Sequence, residues 1–372
     1  MADLILIPVV VLLLCKISYN KTGLNRDYLS IETTQAMRGV MILDVVLFHF
    51  CLDYLNVNQK LLSVCQGDDA VKIFFFLSGY GLIYSVKHKG DAYLKGFFSH
   101  RLVKIAIPLV IAAIPHIFLF KHTGVYYLAN TPLTLKTMFE LFFHNGYTIV
   151  YNAWYVVELI VLYVAFYISF KIAKGDFERG VNITVLLTVL CMIGFYMLYL
   201  KQNWLHMWYF STWAFAFGVI WSAKEEQIFK FIQKHFNLIF CVSILMVSFL
   251  AIFRREIMFQ FSANNYIMSK SMILGPFIVF GIIVGSMKFK LGCPVWKFLG
   301  KISYELFLIH GIFYNELRGG DIYIKNDLLY IVIGVALSIA AATLLYYIDR
   351  FILKGYFKLI GKKTKEESKQ NG

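Results

Sequence analysis

Acidic charge is scarce in this chain. Asp and Glu number 22 against 36 Lys and Arg in 372 residues, and all charged residues together make up 16%. Proline occurs six times and cysteine six times. The cysteines (Cys15, Cys51, Cys65, Cys191, Cys241, Cys293) are scattered and show no C-x-x-C spacing, so the sequence offers neither a zinc or redox motif nor an arguable disulfide framework. No Walker-type phosphate loop, H-E-x-x-H or G-x-S-x-G is present. No internal repeat of the kind transporters often carry is visible. The first apolar run follows Asp3 and precedes Lys16 and Lys21. That is the reverse of a secretory leader, whose basic start comes before the apolar core.

What is present is apolar. Hydrophobic residues make up 59% of the chain, above the ~45–50% of a soluble domain. Apolar windows long enough to cross a bilayer recur from end to end. The fold class is therefore all-α: a polytopic integral membrane protein with about ten core helices plus one N-terminal hydrophobic segment. Spans are expected at about 4–18, 39–55, 70–86, 102–120, 147–170, 181–200, 204–221, 236–253, 268–287, 296–314 and 328–350. Segment 4–18 is short for a span, and a half-immersed helix competes with a crossing one there.

The net charge of +14 is not a nucleic-acid signature, because its distribution follows the spans. The connections at 16–38, 87–104, 171–180, 222–235 and 287–301, with the tail from Arg350, hold 26 of the 36 Lys and Arg; the alternate connections hold ten. Lys and Arg stay cytoplasmic, so the first set faces inward and the C-terminus is cytoplasmic, in the plasma (inner) membrane. Three segments follow: residues 1–30 as hydrophobic segment and link, 31–352 as the membrane domain, and 353–372 as a basic, disordered-looking tail that anionic lipid could attract.

Ionisable groups inside spans are the functional candidates. The stretch 32–54 carries Arg38 at one edge, Asp44 and His49 within, and Asp53 near the other edge. Arg38 and His49 are eleven residues apart, hence on one helix face with about 16 Å of rise between them. A basic mouth above a deeper imidazole suits anion binding outside and proton chemistry inside. A snorkelling arginine over a structural histidine suits the spacing equally. His100, Arg101 and Lys104 cluster at the mouth of span 102–120, which contains Pro108 and Pro115 and should kink. Ser78, Gly79 and Gly81 form a small-residue patch for close helix packing or for lining a cavity. Trp154 and Tyr155 read as interfacial anchors, whereas Glu158 lies one turn deeper and needs a partner or a proton. Ser303 and His310 are seven apart with Glu305 between them, and His310 should lie near the outer end. Arg254, Arg255 and Glu256 read as a solvated outer knot.

Four stretches together resemble the acyltransferase 3 family of integral membrane acyltransferases: Arg38 to His49 within RGVMILDVVLFH, FFFLSGYGL at 74–82, the pattern of Phe97, Arg101 and Pro108, and LGKISYELFLIH at 299–310. The resemblance runs from about residue 30 to 350. It implies a roughly ten-helix core, an acyl-CoA donor, and O-acylation of an envelope carbohydrate or related molecule; acetyl-CoA is the first choice of donor, a lipid-linked sugar is a second form of acceptor, and no metal is expected. It also implies that Arg38 and His49 are the key pair. Many members carry an acidic residue where this chain has Lys72, and an acidic residue five places after the tryptophan, where Glu158 is four after Trp154. No appended hydrolase-like domain is seen, as in stand-alone members.

On this reading His49 is the general base and Asp53 orients its ring. Arg38, Arg101 and Lys104 hold the donor's phosphates. Ser303, Glu305 and His310 help build the acceptor end, Ser78 lines a cavity near His49, and Glu158 joins them as a substrate-binding residue. A transporter or flippase of a lipid-linked sugar is the competing class, and acceptor-dependent thioester cleavage separates the two.

Overall fold

The computed structural model describes residues 2–54, 65, 67–123, 134–150, 152–202, 204–252, 270–319 and 322–370. Most of the connections at 56–72 and 254–270 and residues 124–133 of the connection at 121–146 therefore lie outside the described residues, and with them the Arg254–Glu256 knot.

The chain is helical almost throughout. A short 3-10 turn leads into α1 (Leu6–Leu14), followed by β1 (Ile17–Tyr19) and α2 (Ile31–Tyr54). Next come α3 (Gly67–Lys89), α4 (Asp91–Lys95), a π turn at Phe98–Leu102, α5 (Val103–Thr123) and α6 (Leu135–Asn145). They are followed by α7 (Trp154–Ala173), α8 (Phe177–Gln202), α9 (Met207–Phe210), α10 (Trp213–Ala223) and α11 (Glu225–Ile252). The chain continues through α12 (Gly275–Ser286), β2 (Phe289–Leu291), α13 (Pro294–Lys301), α14 (Ser303–Gly319) and α15 (Asp327–Gln370).

Among the described residues seven helices are long and apolar enough to cross a membrane, and an eighth apolar stretch, Met272–Ser286, is shorter. These account for eight of the eleven expected spans. The other three are not single long helices. With its 3-10 turn, α1 rises only about 22 Å, short of a ~30 Å hydrocarbon core. Span 204–221 is divided between α9 and α10, and span 296–314 between α13 and α14. At the second division Ser303 Oγ donates to Gly300 O at 3.0 Å. Hydroxyls that recover carbonyls freed by a break are what make a broken helix tolerable at membrane depth. At the far end α15 passes the expected limit of residue 350 and continues as helix to Gln370.

Backbone-to-backbone crossings set the packing. A Cβ on Gly79 would lie 2.2 Å from Phe215 O, and one on Gly218 would lie 2.0 Å from Phe76 O, so α3 and α10 cross in direct backbone contact. The α2–α13 crossing is alike: a Cβ on Gly39 would be 1.9 Å from Trp296 O, and one on Gly300 1.7 Å from Gln35 O. The small-residue patch thus divides its roles. Gly79 packs helices, Gly81 has nothing within 4 Å, and Ser78 hydrogen-bonds the Tyr155 side chain.

The Lys- and Arg-rich connections other than 171–180 fall into two joined groups. β1 pairs antiparallel with β2, with Ile17 opposite Leu291. Lys290 bonds Asp27 at 2.5 Å and Arg26 bonds Glu226 at 3.1 Å. His100 stacks on Phe357 from the distal part of α15. Connections 16–38, 222–235 and 287–301 are joined, as are 87–104 and the tail, in keeping with the charge alternation in the sequence.

Candidate active site

The site begins with α2, which crosses the centre of the main core, burying Ile42, Val45, Val46 and Phe50. On the same helix Arg38 lies near the basic face and His49 about 16 Å further along. Arg38 Nε donates to Thr34 O at 3.3 Å.

Arg101, from the π turn before α5, is an electrostatic neighbour of Arg38. Its Nη2 donates to Tyr163 Oη at 3.0 Å, and its Nε is buried without a partner. Tyr93, Tyr155 and Tyr163 surround this pair. Among the described residues neither arginine forms an ion pair with a carboxylate. Two neighbouring guanidiniums ringed by phenols, with no protein anion between them, are the donor set of an anion site. Lys104 is elsewhere: it is exposed, with Nζ 5.5 Å from the ring centre of Phe357.

At the deeper level His49 meets His310 from α14. His310 Nε2 lies 3.3 Å from His49 Nδ1, and the ring centroids are 5.0 Å apart. His49 Nδ1 also lies 2.9 Å from Val45 O, and His310 Nδ1 lies 3.0 Å from Leu306 O. A carbonyl only accepts, so in the neutral rings both Nδ1 atoms carry the proton. His49 Nε2 then keeps its lone pair, and the lone pair of His310 Nε2 faces the His49 Nδ1 proton. Tyr314 stacks on His49 at 5.9 Å with an interplanar angle of 8°. Asp68, at the start of α3, is within electrostatic reach of His49. The side chain of Asp53 lies outside the described residues.

Glu158 is fully buried between these levels. Thr212, at the break between α9 and α10, donates to its Oε1 at 2.6 Å, while Oε2 has no partner. Tyr155, expected as an interfacial anchor, is instead buried and electrostatically coupled to Arg38 and Glu158. Ser303 and Glu305 lie at the α13–α14 break, next to the Gln35–Gly300 crossing, hence toward the Arg38 end and not beyond His49. Glu305 Oε2 is unpartnered and faces Asp349 of α15, whose two carboxylate oxygens are buried without partners. The structure thus brings Arg38 together with Arg101, His49 with His310, and Ser78 and Glu158 with Tyr155. Lys104 stands apart.

Two residues of this constellation were not singled out from the sequence. His116 of α5 is 1% exposed, holds Ala112 O at 2.7 Å through Nδ1, leaves Nε2 unpartnered, and lies within electrostatic reach of His310. It is an ionisable residue inside a span, the same signal that marked His49. Asp349 stood at the limit of the expected last span, where a cytoplasmic carboxylate is unremarkable. Among the described residues no group of three or more His, Cys, Asp or Glu could hold a metal ion.

A comparison with known families bears directly on this arrangement. The acyltransferase domain of the acyltransferase 3 family matches residues 33–347. The chain belongs to that family. No curated protein and no solved structure matches. The match runs from α2 into the first half of α15, so the arginine pair, the histidine pair, Glu158 and Glu305 all fall within an acyltransferase domain. The protein is a membrane acyltransferase, which requires an acyl donor and an acceptor.

Proposed function

We propose that this acyltransferase moves a short acyl group, acetyl first, from acyl-CoA to a hydroxyl of an envelope carbohydrate or lipid-linked sugar. The observation that carries the reading is the pair of levels on α2. Arg38 and Arg101 form a cationic site without a protein anion at one level, and a lone-pair-bearing His49 lies about 16 Å deeper. Coenzyme A is a long, phosphate-bearing molecule with its thioester at the far end, so separate sites for phosphate and thioester suit it. Arg38 and Arg101 bind donor phosphate, and the exposed Lys104 adds attraction at the approach. The basic face is cytoplasmic, where acyl-CoA resides, the membrane is the plasma membrane, and the C-terminus of α15 is cytoplasmic.

His49 Nε2 takes the proton of the acceptor hydroxyl as its oxygen attacks the thioester carbonyl. The tetrahedral oxyanion collapses, the carbon–sulfur bond breaks, and the thiolate leaves with the proton returned by His49. His310 faces the His49 Nδ1 proton and stabilises the imidazolium between those transfers. Ser78, Glu158 and Tyr155 line the path between the levels.

The test uses protein reconstituted in vesicles with acetyl-labelled acetyl-CoA and an envelope-glycan extract as acceptor. Label should move to carbohydrate, and His49→Ala should lower transfer by about 10²–10⁴-fold while insertion and thermal unfolding stay unchanged. Near-normal transfer by that variant would remove His49 as base.

A further inference from the structure

Two pairs of cysteines that are distant in sequence come together in space, one at each end of the membrane domain. Cys51, near the end of α2, and Cys65, just before α3, are each 3% exposed, and their thiols are in hydrogen-bond contact. The Asp44 carboxylate touches the Cys65 thiol as well. Cys15, at the end of α1, and Cys293, before α13, are also in thiol contact. This second pair lies beside the β1–β2 pairing, where Gly292 N donates to Lys16 O at 3.1 Å, on the face that gathers Lys and Arg. The first pair lies at the opposite end of α2, about 20 Å of helix rise from Arg38 and two residues beyond His49. All four are free thiols here.

Resting on the orientation given under Proposed function, we infer that Cys51 and Cys65 form a disulfide on the outer face, whereas Cys15 and Cys293 remain thiols on the cytoplasmic face. Matched geometry with opposite outcomes follows from compartment chemistry: the space outside the plasma membrane is oxidising and the cytosol is kept reduced. The oxidant is a disulfide-bearing thiol oxidant of the outer compartment. One protein thiolate attacks a sulfur of that disulfide, its S–S bond breaks, and one oxidant thiolate leaves. The second cysteine thiolate then attacks the mixed disulfide, forms the Cys51–Cys65 bond and releases the second oxidant thiolate. The two protons lost by the cysteines go to the released thiolates. The exchange precedes the burial of both sulfurs, during membrane folding.

The bond ties the end of α2 to the start of α3, where Gly67 already packs on Phe48 so closely that a Cβ would lie 2.6 Å from that ring. This is the side from which an acceptor would reach His49, so the crosslink fixes the outer rim of the acceptor path.

The test is a thiol census on the full chain in its native membrane. Thiols are blocked with N-ethylmaleimide in SDS, and peptides are compared by mass spectrometry with and without a phosphine reductant. The expected result is a crosslinked peptide pair containing Cys51 and Cys65 that disappears on reduction. Cys15, Cys191, Cys241 and Cys293 should all be alkylated without reductant. In Cys51→Ser the crosslink is lost and Cys65 becomes alkylated. Alkylation of both Cys51 and Cys65 before reduction overturns the inference. Orientation is read separately from a Ser368→Cys substitution in a cysteine-free background, which an impermeant maleimide should label only after permeabilisation. If that holds while Cys51 and Cys65 are reduced, the disulfide alone fails. If Ser368→Cys labels from outside, or if Cys15–Cys293 is the oxidised pair, the orientation fails and the disulfide inference with it.

Discussion

Replacing Gly39 with alanine places a methyl group where there is no room. The added Cβ would lie 1.9 Å from Trp296 O and 2.7 Å from the carbonyl carbon, both backbone atoms of α13. A tolerable contact starts near 3.0 Å, so α13 must retreat by about 1.1 Å. The retreat stretches the bond from Gln35 Nε2 to Lys297 O, now 2.9 Å, beyond hydrogen-bonding range. Losing that bond costs about 1 kcal/mol, and overpacking adds about 1–3 kcal/mol. The thermal midpoint in detergent should therefore fall by about 3–5 °C, since a chain of 372 residues loses about 1.3 °C per kcal/mol. Function should fall further than stability. Gly39 adjoins Arg38, and α13 leads directly into α14 with His310, so the two levels of the site shift against each other. A misplacement of about 1 Å can cost on the order of 10²-fold in rate. Gly81→Ala is the control, because nothing lies within 4 Å of its Cβ position and alanine favours a helix by about 1 kcal/mol over glycine. Its midpoint should hold or rise and its activity should persist. Wild-type midpoint and rate in Gly39→Ala, or equal damage from Gly81→Ala, would refute the close-crossing account.

Arg38→Lys and Arg101→Lys each keep a charge but lose the planar fork, so calorimetry should show weaker acyl-CoA binding and kinetics a raised KM, with kcat less affected. Lys72→Met strands the carboxylate of Asp69, which bonds Lys72 Nζ at 2.6 Å with both side chains buried; a stability loss of about 3–5 kcal/mol is expected, largely recovered in the Lys72→Met/Asp69→Leu double variant. At the basic face, the Lys290 ammonium holds the Asp27 carboxyl below its ordinary range. That contribution is present above the unfolded-state value near 4 and is lost as pH falls through the folded value; because the pair is well exposed, Asp27→Asn should cost under about 1 kcal/mol at pH 7 and nothing at pH 2 in thermal scans. Comparing envelope glycans by mass with and without the gene should reveal missing acyl masses; a secreted small molecule losing an acyl group while every glycan stayed unchanged would redirect the acceptor assignment.

Some of this architecture was legible in the sequence and some was not, for physical reasons. Hydropathy finds α2, α3, α7, α8 and α15 because each is a continuous apolar run. It cannot find the breaks at 211–212 and at 302, because neither FSTWAF nor GKISYE contains a proline and each lies between long apolar stretches. Those breaks depend on partners far along the chain: Gln35 beneath Gly300, and Glu158 accepting from Thr212. The Arg38–His49 spacing follows from helix geometry alone, so it could be read directly. Pairing His49 with His310 joins residues 261 apart, a separation that no local period encodes. Lys104 was grouped with Arg101 by proximity in sequence. Arg101 lies in the π turn and Lys104 in the helix after it, and Lys104 reaches Phe357 while Arg101 neighbours Arg38.

The broken helices explain how one membrane helix can present two chemistries at different depths. A continuous helix satisfies its own backbone and has only side chains to offer. At the α13–α14 break, the chain has already crossed α2 in backbone contact through Gly300 and Gly39. The break at Ile302 lets α14 set off in a new direction while Ser303 recovers the Gly300 carbonyl. That redirection brings His310 against His49, while α13 stays locked beside Arg38 through Gln35 and Trp296. The second break does the same for the middle of the path. α10 is held against α3 by Gly218 and Gly79, and the turn just before it frees Thr212 to hold Glu158. A straight helix through 296–314 would leave one of the two contacts with α2 unmade. The tight glycine crossings and the breaks are therefore one device, and its product is the fixed distance between the arginine level and the histidine level.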